Sequence, residues 1–202
     1  MKLIGSLTSP YVRKIRVQLI EKGIAHDLIV DSPWEPATHV PDYNPLGKVP
    51  ALVTDTGETL FDSNILSEYI ELTWPEPALL PADRAAALRV RQIVLLADGI
   101  ADAGVAIFLE NKRPPEKQQA DWTARQTGKV ERGLAALSAA ISARPDDTSG
   151  MPDLAEIATG CALLWLSFRL PQIDWRGQHP ALAALLDRLN TRPSFQQTAP
   201  PV

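Results

Sequence analysis

The chain opens with a short, mostly apolar run at residues 2–6, KLIGS, which is too brief for a helix and is bounded by the turn-rich SLTSP. That pattern predicts a buried strand. After Pro10 the period changes: Val12, Ile15 and Leu19 fall at i, i+3 and i+7, Ile20 widens the stripe, and Gly23 follows Lys22. The spacing predicts an amphipathic helix over 10–22, closed by glycine. HDLIVD (26–31) predicts a second strand, and two strands joined through a helix imply a right-handed parallel crossover. The proline-dense SPWEPATHVPDYNPLGK has no regular period and reads as a surface loop or short helix over the sheet. Residues 51–54 and 58–61 are β-rich runs around the turn cluster DTGE, which predicts a hairpin. Leu66, Tyr69, Ile70 and Thr73 then return to helical spacing. The order is βαβ, loop, ββα.

TWPEPALLPADR follows, and its Pro75, Pro77 and Pro81 cannot continue a helix. This places a domain boundary there, with a first domain over 1–75, a linker over 76–83 and a second domain over 84–202. Beyond the boundary strand signals vanish. Four alanine- and leucine-rich segments, ADRAAALRVRQIVLLADGIADAGVAIFLENK, EKQQADWTARQTGKVERGLAALSAAIS, LAEIATGCALLWLSFRL and HPALAALLDRLN, all carry helical periodicity. RPDDTSGMP reads as a loop between helices and TAPPV as a frayed tail.

Length and composition agree with this division: 202 residues, 45% of them hydrophobic, can fill two compact cores. A net charge of −4, with basic residues scattered among acidic ones, offers no broad field for nucleic acid or an anionic membrane. Anion binding must then be local. Apolar runs such as QIVLLADGIADAG are broken by carboxylates, short of the roughly 18 uninterrupted residues of a membrane span. MKLIGSLTSP is too short and polar for a secretory signal, so a cytoplasmic protein is expected. Cys161 is the sole cysteine, which excludes an internal disulfide, a dithiol redox pair and a cysteine-based zinc site. His26, His39 and His179 are far apart in sequence, so no metal is expected.

Three short stretches carry candidate chemistry. Ser9 stands at the start of the first helix, directly after a strand, where unpaired N–H groups and about half a positive charge attract an anion or favour a thiolate. The plainer reading is an N-cap, and the two roles can coexist. In NPLGKVPAL, Pro50 begins a strand; X–Pro bonds are cis in only roughly one case in twenty, so the residues alone favour a trans Val49–Pro50 bond. In FDSN, Asp62 and Ser63 lie between a strand and the following helix, where they would cap that helix or hold a polar ligand.

Their order adds a further argument. A βαβ–ββα unit with Ser-Pro at its first helix start, Lys-Val-Pro before its third strand and Asp-Ser after its fourth, followed by an all-helical domain, resembles the cytosolic glutathione transferase family over essentially the whole chain. The resemblance is to bacterial members with serine at the thiol-activating position. It implies an α+β thioredoxin-like N-terminal domain in which SPYV takes the place of a redox CxxC, a cis Val49–Pro50 bond, and glutathione as co-substrate. Carried over, Ser9 would donate to the glutathione sulfur and Val49, ahead of Pro50, would pair with the tripeptide backbone. Asp62 and Ser63 would bind the α-amino and α-carboxylate ends of the γ-glutamyl group, and Lys48 would meet the glycyl carboxylate. Ser6, Thr8 and Tyr11 are alternative hydroxyl donors to the sulfur. DLAEIATGCAL is similar to the family's capping box, here Asp153 and Glu156, and RPSF to its closing signature.

The resemblance further implies a homodimer and a small hydrophobic electrophile as the second substrate, with Ile107, Phe108 and Trp165 as candidate lining residues. Serine at the activating position points to conjugation; glutathione-dependent isomerisation, peroxide reduction or thiol transfer, a non-catalytic adaptor and a ligand carrier are the alternatives. Arg13 and Lys14 are expected on a solvated face, Cys161, Trp165 and Phe168 in the helical core, and Leu66 and Tyr69 against the sheet. Asp98 and Asp102, odd in an apolar stripe, read either as solvent-facing or as lining a polar cleft between two facing copies.

Overall fold

In the computed structural model, which describes residues 1–144 and 150–201, the first apolar run folds as β1 (Lys2–Gly5) and the amphipathic segment as α1 (Pro10–Glu21). Gly23 stands just past α1 at φ +67°, the left-handed conformation that closes a helix and that glycine adopts without a Cβ clash. β2 (Asp27–Val30), the single-turn α2 (Val40–Tyr43), β3 (Ala51–Val53), β4 (Thr59–Leu60) and α3 (Ser63–Thr73) follow. The four strands lie in the order β2-β1-β3-β4; β1 and β2 are parallel and the other two pairs antiparallel. This is a thioredoxin-like arrangement.

Alternation along the strands sorts the core. Leu3 and Leu52 face Val12, Ile15, Leu19, Leu66 and Ile70 of α1 and α3, while Ile4 and Ala51 face Val40 on the other side. Each fully buried Leu or Ile contributes about 1.5–3 kcal/mol of transfer free energy. α1 can come this close to the sheet because β1 ends in glycine: a Cβ on Gly5 would sit 2.5 Å from a Val12 methyl.

The chain divides into two compact units, Ala82–Asn190 and the remainder, so the segment from Thr191 belongs with Met1–Pro81 and not with the helical domain expected over 84–202. Polar contacts hold it there. Arg192 pairs with Glu21 through two hydrogen bonds of 2.7 Å each, and Ser194 donates to the same carboxylate. Arg13 donates to the Phe195 carbonyl at 2.8 Å and to Thr198 Oγ1 at 3.3 Å, and Arg16 donates to the Gln197 carbonyl. RPSF forms α9 (Pro193–Gln197), with Phe195 1% and Thr198 0% exposed, so the frayed tail expected from TAPPV begins in fact with an anchored residue.

The same contacts overturn the solvated face expected for Arg13 and Lys14. Both are buried, Arg13 under the returning segment and Lys14 against Asn64, whose Oδ1 accepts from its Nζ at 3.3 Å. Burial alone would raise the Glu21 carboxyl, but the hydrogen bonds from Arg192 and Ser194 outweigh it and hold the group below its ordinary 4.5. The sign follows: stability from this depressed carboxyl is complete above the unfolded value and is lost as pH falls through the folded one. Unfolding free energy should therefore decline more steeply between pH 5 and about pH 3 in this chain than in Glu21→Gln, as measured by urea titration.

The second unit is helical: α4 (Arg84–Asn111), a 3-10 turn at Pro115–Lys117, α5 (Ala120–Ser142), α6 (Leu154–Arg169), the one-turn α7 (Trp175–Gln178) and α8 (Pro180–Asn190). Residues 145–149 of the expected loop RPDDTSGMP lie outside the described residues. α4 packs along α5 and α6. By length and composition α4 would suffice to cross a membrane; Asp98 and Asp102 interrupt its apolar runs without ending the helix. Asp98 is half-exposed and Asp102 exposed. Asp153 caps α6, accepting from the Glu156 amide at 3.0 Å, and also pairs with Arg144. Glu156, expected to reach back toward that cap, pairs instead with Arg188 of α8 at 2.5 Å. Its burial pushes the carboxyl above the ordinary value despite the arginine. Cys161 and Trp165 are buried as expected; Phe168, assigned to the core, is instead 37% exposed, on the side of α6 away from the buried Leu166 and Leu170, with the Arg169 guanidinium 4.1 Å from its ring centroid.

Candidate active site

Strand register decides which loops meet. β1 runs antiparallel to β3 with Ile4 opposite Ala51, so residues 6–9 after β1 and Val49–Pro50 before β3 lie at one end of the sheet. β4 runs antiparallel to β3 with Leu52 opposite Leu60, which brings Asp62 out at the same end. α1 and α3 both start there and are tied side by side, Gln18 Nε2 donating to Ser67 Oγ at 3.0 Å. Two helix N-termini thus present their unpaired N–H groups, and about half a positive charge each, along one edge.

Ser9 is the N-cap of α1: its backbone is extended, Pro10 occupies the first helical position, and its Oγ accepts from the Val12 amide at 3.3 Å. A hydroxyl that accepts still has its proton to donate, so capping leaves Ser9 able to serve an anion. Ser6 Oγ and Thr8 Oγ1 lie 3.2 Å apart and hydrogen-bond each other, and Tyr11 is half-buried in the first turn of α1.

The Val49–Pro50 bond is cis, the conformation implied by the resemblance and disfavoured by the residues alone. Lys48 is exposed, and its side chain has no hydrogen-bond or ion-pair partner among the described residues. The residue that shapes this loop was not singled out in the sequence. Asn44 is 1% exposed; its Nδ2 donates to the Lys48 carbonyl at 2.8 Å and its Oδ1 accepts from the Leu46 amide at 3.0 Å. Gly47, at φ +62°, supplies the left-handed turn inside that loop. The Asn-Pro dipeptide of NPLGK was a turn signal, but spacing does not show a side chain bonding four residues ahead.

Asp62 caps α3, its Oδ1 accepting from the Asn64 amide at 2.9 Å, and its carboxylate is exposed. Ser63 follows, 4% exposed. In the helical unit the candidate lining residues separate: Ile107 and Trp165 are buried, whereas Phe108 is half-buried with its ring edge-on to Trp165 at 6.1 Å. Among the described residues no group of three or more His, Cys, Asp or Glu side chains is placed to hold a metal.

Residues 8–73 match the glutathione S-transferase N-terminal domain and residues 120–188 the glutathione S-transferase C-terminal domain. The uncharacterized GST-like protein YibF of Escherichia coli (strain K12) is 45% identical over 201 residues, covering 100% of this chain and 99% of that protein. The chain belongs to the glutathione S-transferase family. Among solved structures of the family, a glutathione S-transferase from Methylobacterium radiotolerans in complex with glutathione sulfonate is 40% identical with TM-score 0.93, covering 100% of this chain and 95% of that one. A glutathione S-transferase from Methylobacillus flagellatus with glutathione bound is 40% identical with TM-score 0.92, covering 99% of each. Maleylacetoacetate isomerase of Pseudomonas aeruginosa is 28% identical over 99% of this chain and 96% of its own.

Proposed function

We propose that this family member is a glutathione transferase that binds glutathione at the shared end of the first unit's sheet and activates its thiolate for attack on a hydrophobic electrophile. The observation that carries the reading is the convergence of Ser9, Val49–Pro50 and Asp62–Ser63 at two helix N-termini. Similar chains with glutathione bound support it. Ser9 donates to the sulfur, the Val49 main chain pairs with the cysteinyl unit, Asp62 and Ser63 hold the γ-glutamyl ends, and Lys48 meets the glycyl carboxylate.

The energies suffice. A free thiol of pKa about 8.5 is only a few per cent ionised at pH 7, and lowering it by about two units requires roughly 2.7 kcal/mol of preferential thiolate stabilisation. One hydrogen bond to the charged sulfur supplies about 1.5–3 kcal/mol and the helix dipole up to about 1. The thiolate then forms a bond to the electrophilic carbon, which either expels a leaving group or, in an addition, passes its π-electron pair to the conjugated neighbour that takes a proton from solvent.

Calorimetric titration with glutathione, combined with ultraviolet difference absorbance of the bound thiol, tests the reading. Binding with a thiol pKa clearly below that of free glutathione supports it; absence of binding overturns it and leaves a scaffold. Glutathione-dependent isomerisation is the second reading, favoured by the isomerase relative, and side-by-side assays with a halonitroarene, a hydroperoxide and a mixed disulfide separate the activities. Asn44→Ala, which leaves the Lys48 carbonyl without its donor, should weaken glutathione binding about fivefold or more and cost about 1–3 kcal/mol in urea unfolding.

A further inference from the structure

Ser9 is only as well placed as the first turn of α1 that carries it. That turn is gripped from two sides. Val12 packs on β1, where Gly5 leaves room for its methyls, and the next residue, Arg13, is 8% exposed under the segment that returns from Thr191. The Arg13 amide donates to the Ser9 carbonyl at 3.0 Å, the bond that starts the helix. Its guanidinium ties the same turn to distant chain: Nη2 donates to the Phe195 carbonyl at 2.8 Å, Nε donates to Thr198 Oγ1 at 3.3 Å, and Cζ lies 5.9 Å from the Phe195 centroid. Thr198 is itself fixed. It is 0% exposed, and its hydroxyl donates to the Ser194 carbonyl at 2.8 Å while accepting from Arg13.

The returning segment holds the far end of α1 separately, through Glu21, Arg192 and Ser194. Eight residues at about 1.5 Å each put the two anchors roughly 12 Å apart along the helix. Apolar burial is non-directional, so the stripe of Val12, Ile15 and Leu19 keeps α1 on the sheet, whereas hydrogen bonds at both ends fix where the helix stands along its axis. A buried guanidinium is a weak source of net stability, but its planar fork fixes position as apolar contact does not.

We infer that Arg13 and Thr198 are positioning residues for the thiol-activating hydroxyl: together they fix the start of α1, and with it the Ser9 oxygen, at hydrogen-bond distance from the glutathione sulfur. The inference rests on the glutathione reading given above. A hydrogen bond weakens steeply once its geometry slips, and a supporting shell looser by about 1 Å is enough to lose an activated group. Neither residue is among those that hold glutathione, so loosening the anchor costs activation and spares binding.

Thr198→Val tests this, because valine keeps the shape and removes the acceptor while the Arg13 charge stays. The pKa of bound glutathione, about 6.5 after the two-unit lowering, should rise by about half a unit or more. For a halonitroarene at saturating glutathione, kcat/KM should fall about twofold or more at about pH 6.5, and the gap should close by about pH 9, where both bound thiols are ionised. Calorimetric affinity for glutathione at about pH 5.5, where the bound sulfur is protonated, should change less than about twofold. Thr198→Ser, which keeps the hydroxyl, should restore the unaltered values, and Arg13→Lys, which keeps the charge and loses the fork, should reproduce the valine variant. Ser194→Ala loosens the far anchor: it should lower the urea midpoint and leave the thiol pKa in place. A thiol pKa unchanged in both Thr198→Val and Arg13→Lys, a serine variant that restores nothing, or an equal rise in Ser194→Ala would overturn the proposal and reduce the segment to a stabilising tail. Failure of the unaltered chain to bind glutathione overturns the glutathione reading and this proposal with it. Normal binding with a lowered thiol pKa that Thr198→Val and Arg13→Lys leave untouched overturns this proposal alone.

Discussion

Ser9→Ala should retain the fold and lose the chemistry. The lost side chain costs α1 one capping bond, from the Val12 amide, about 1 kcal/mol of stability, measurable as a small shift in the urea midpoint. Turnover of a halonitroarene should fall at least tenfold, equivalent to about 1.4 kcal/mol of transition-state stabilisation, and the pKa of bound glutathione should return toward that of the free thiol. The two readouts are independent: the cap acts through the oxygen lone pair and the activation through the proton. If stability drops while turnover and thiol pKa stay unchanged, Ser9 is only a cap and the donor moves to Thr8 or Tyr11. Thr8 is the weaker of these on geometry, because its hydroxyl already shares a hydrogen bond with Ser6.

Lys22→Met should have the largest effect on stability. The side chain of Lys22 is 0% exposed, its Nζ pairing with Glu71 at 2.8 Å and donating to the Trp74 carbonyl at 2.7 Å and the Pro77 carbonyl at 2.6 Å. Methionine conserves much of the stem and removes the charge, leaving a shielded carboxylate and two carbonyls without their donor. Breaking such a pair costs about 3–5 kcal/mol, a large part of the 5–15 kcal/mol typical of a domain. Urea unfolding of the purified variant measures it, and a loss below about 1 kcal/mol would contradict the assignment. The double variant Lys22→Met with Glu71→Leu should recover part of the loss, since apolar replacement of a whole buried pair is often neutral. Through this one ammonium the proline-rich stretch read as a linker is fastened to the end of α1.

Local rules were enough for much of the first unit. Helical spacing at Val12, Ile15 and Leu19 and the closing Gly23 located α1; the glycine turn in DTGE located the β3–β4 hairpin; Ser9, Asp62 and Asp153 stood at helix starts and cap them. These features depend on neighbours a few residues away, which a sequence displays directly. The order of Ser-Pro, Val-Pro and Asp-Ser was also legible, and it carried the family resemblance, although the residues alone favoured the wrong isomer at Val49–Pro50.

Tertiary structure decided what depends on partners distant in sequence. The apolar stripe of α1 reports only the side facing the sheet; a second neighbour, the segment after Thr191, covers Arg13 and replaces its water with acceptors such as Thr198, 185 residues away. Asn44 became a loop-shaping residue only when the chain curled back to put the Lys48 carbonyl within 2.8 Å. Phe168 and Trp165 are three residues apart on one helix, yet one is exposed and the other buried. The sequence by itself determined the elements, their caps and the family. The fold decided which charges are buried, which aromatic ring is left in water and which loops share one end of the sheet, because burial and hydrogen bonding depend on where distant segments arrive, and periodicity encodes only which face of an element is apolar.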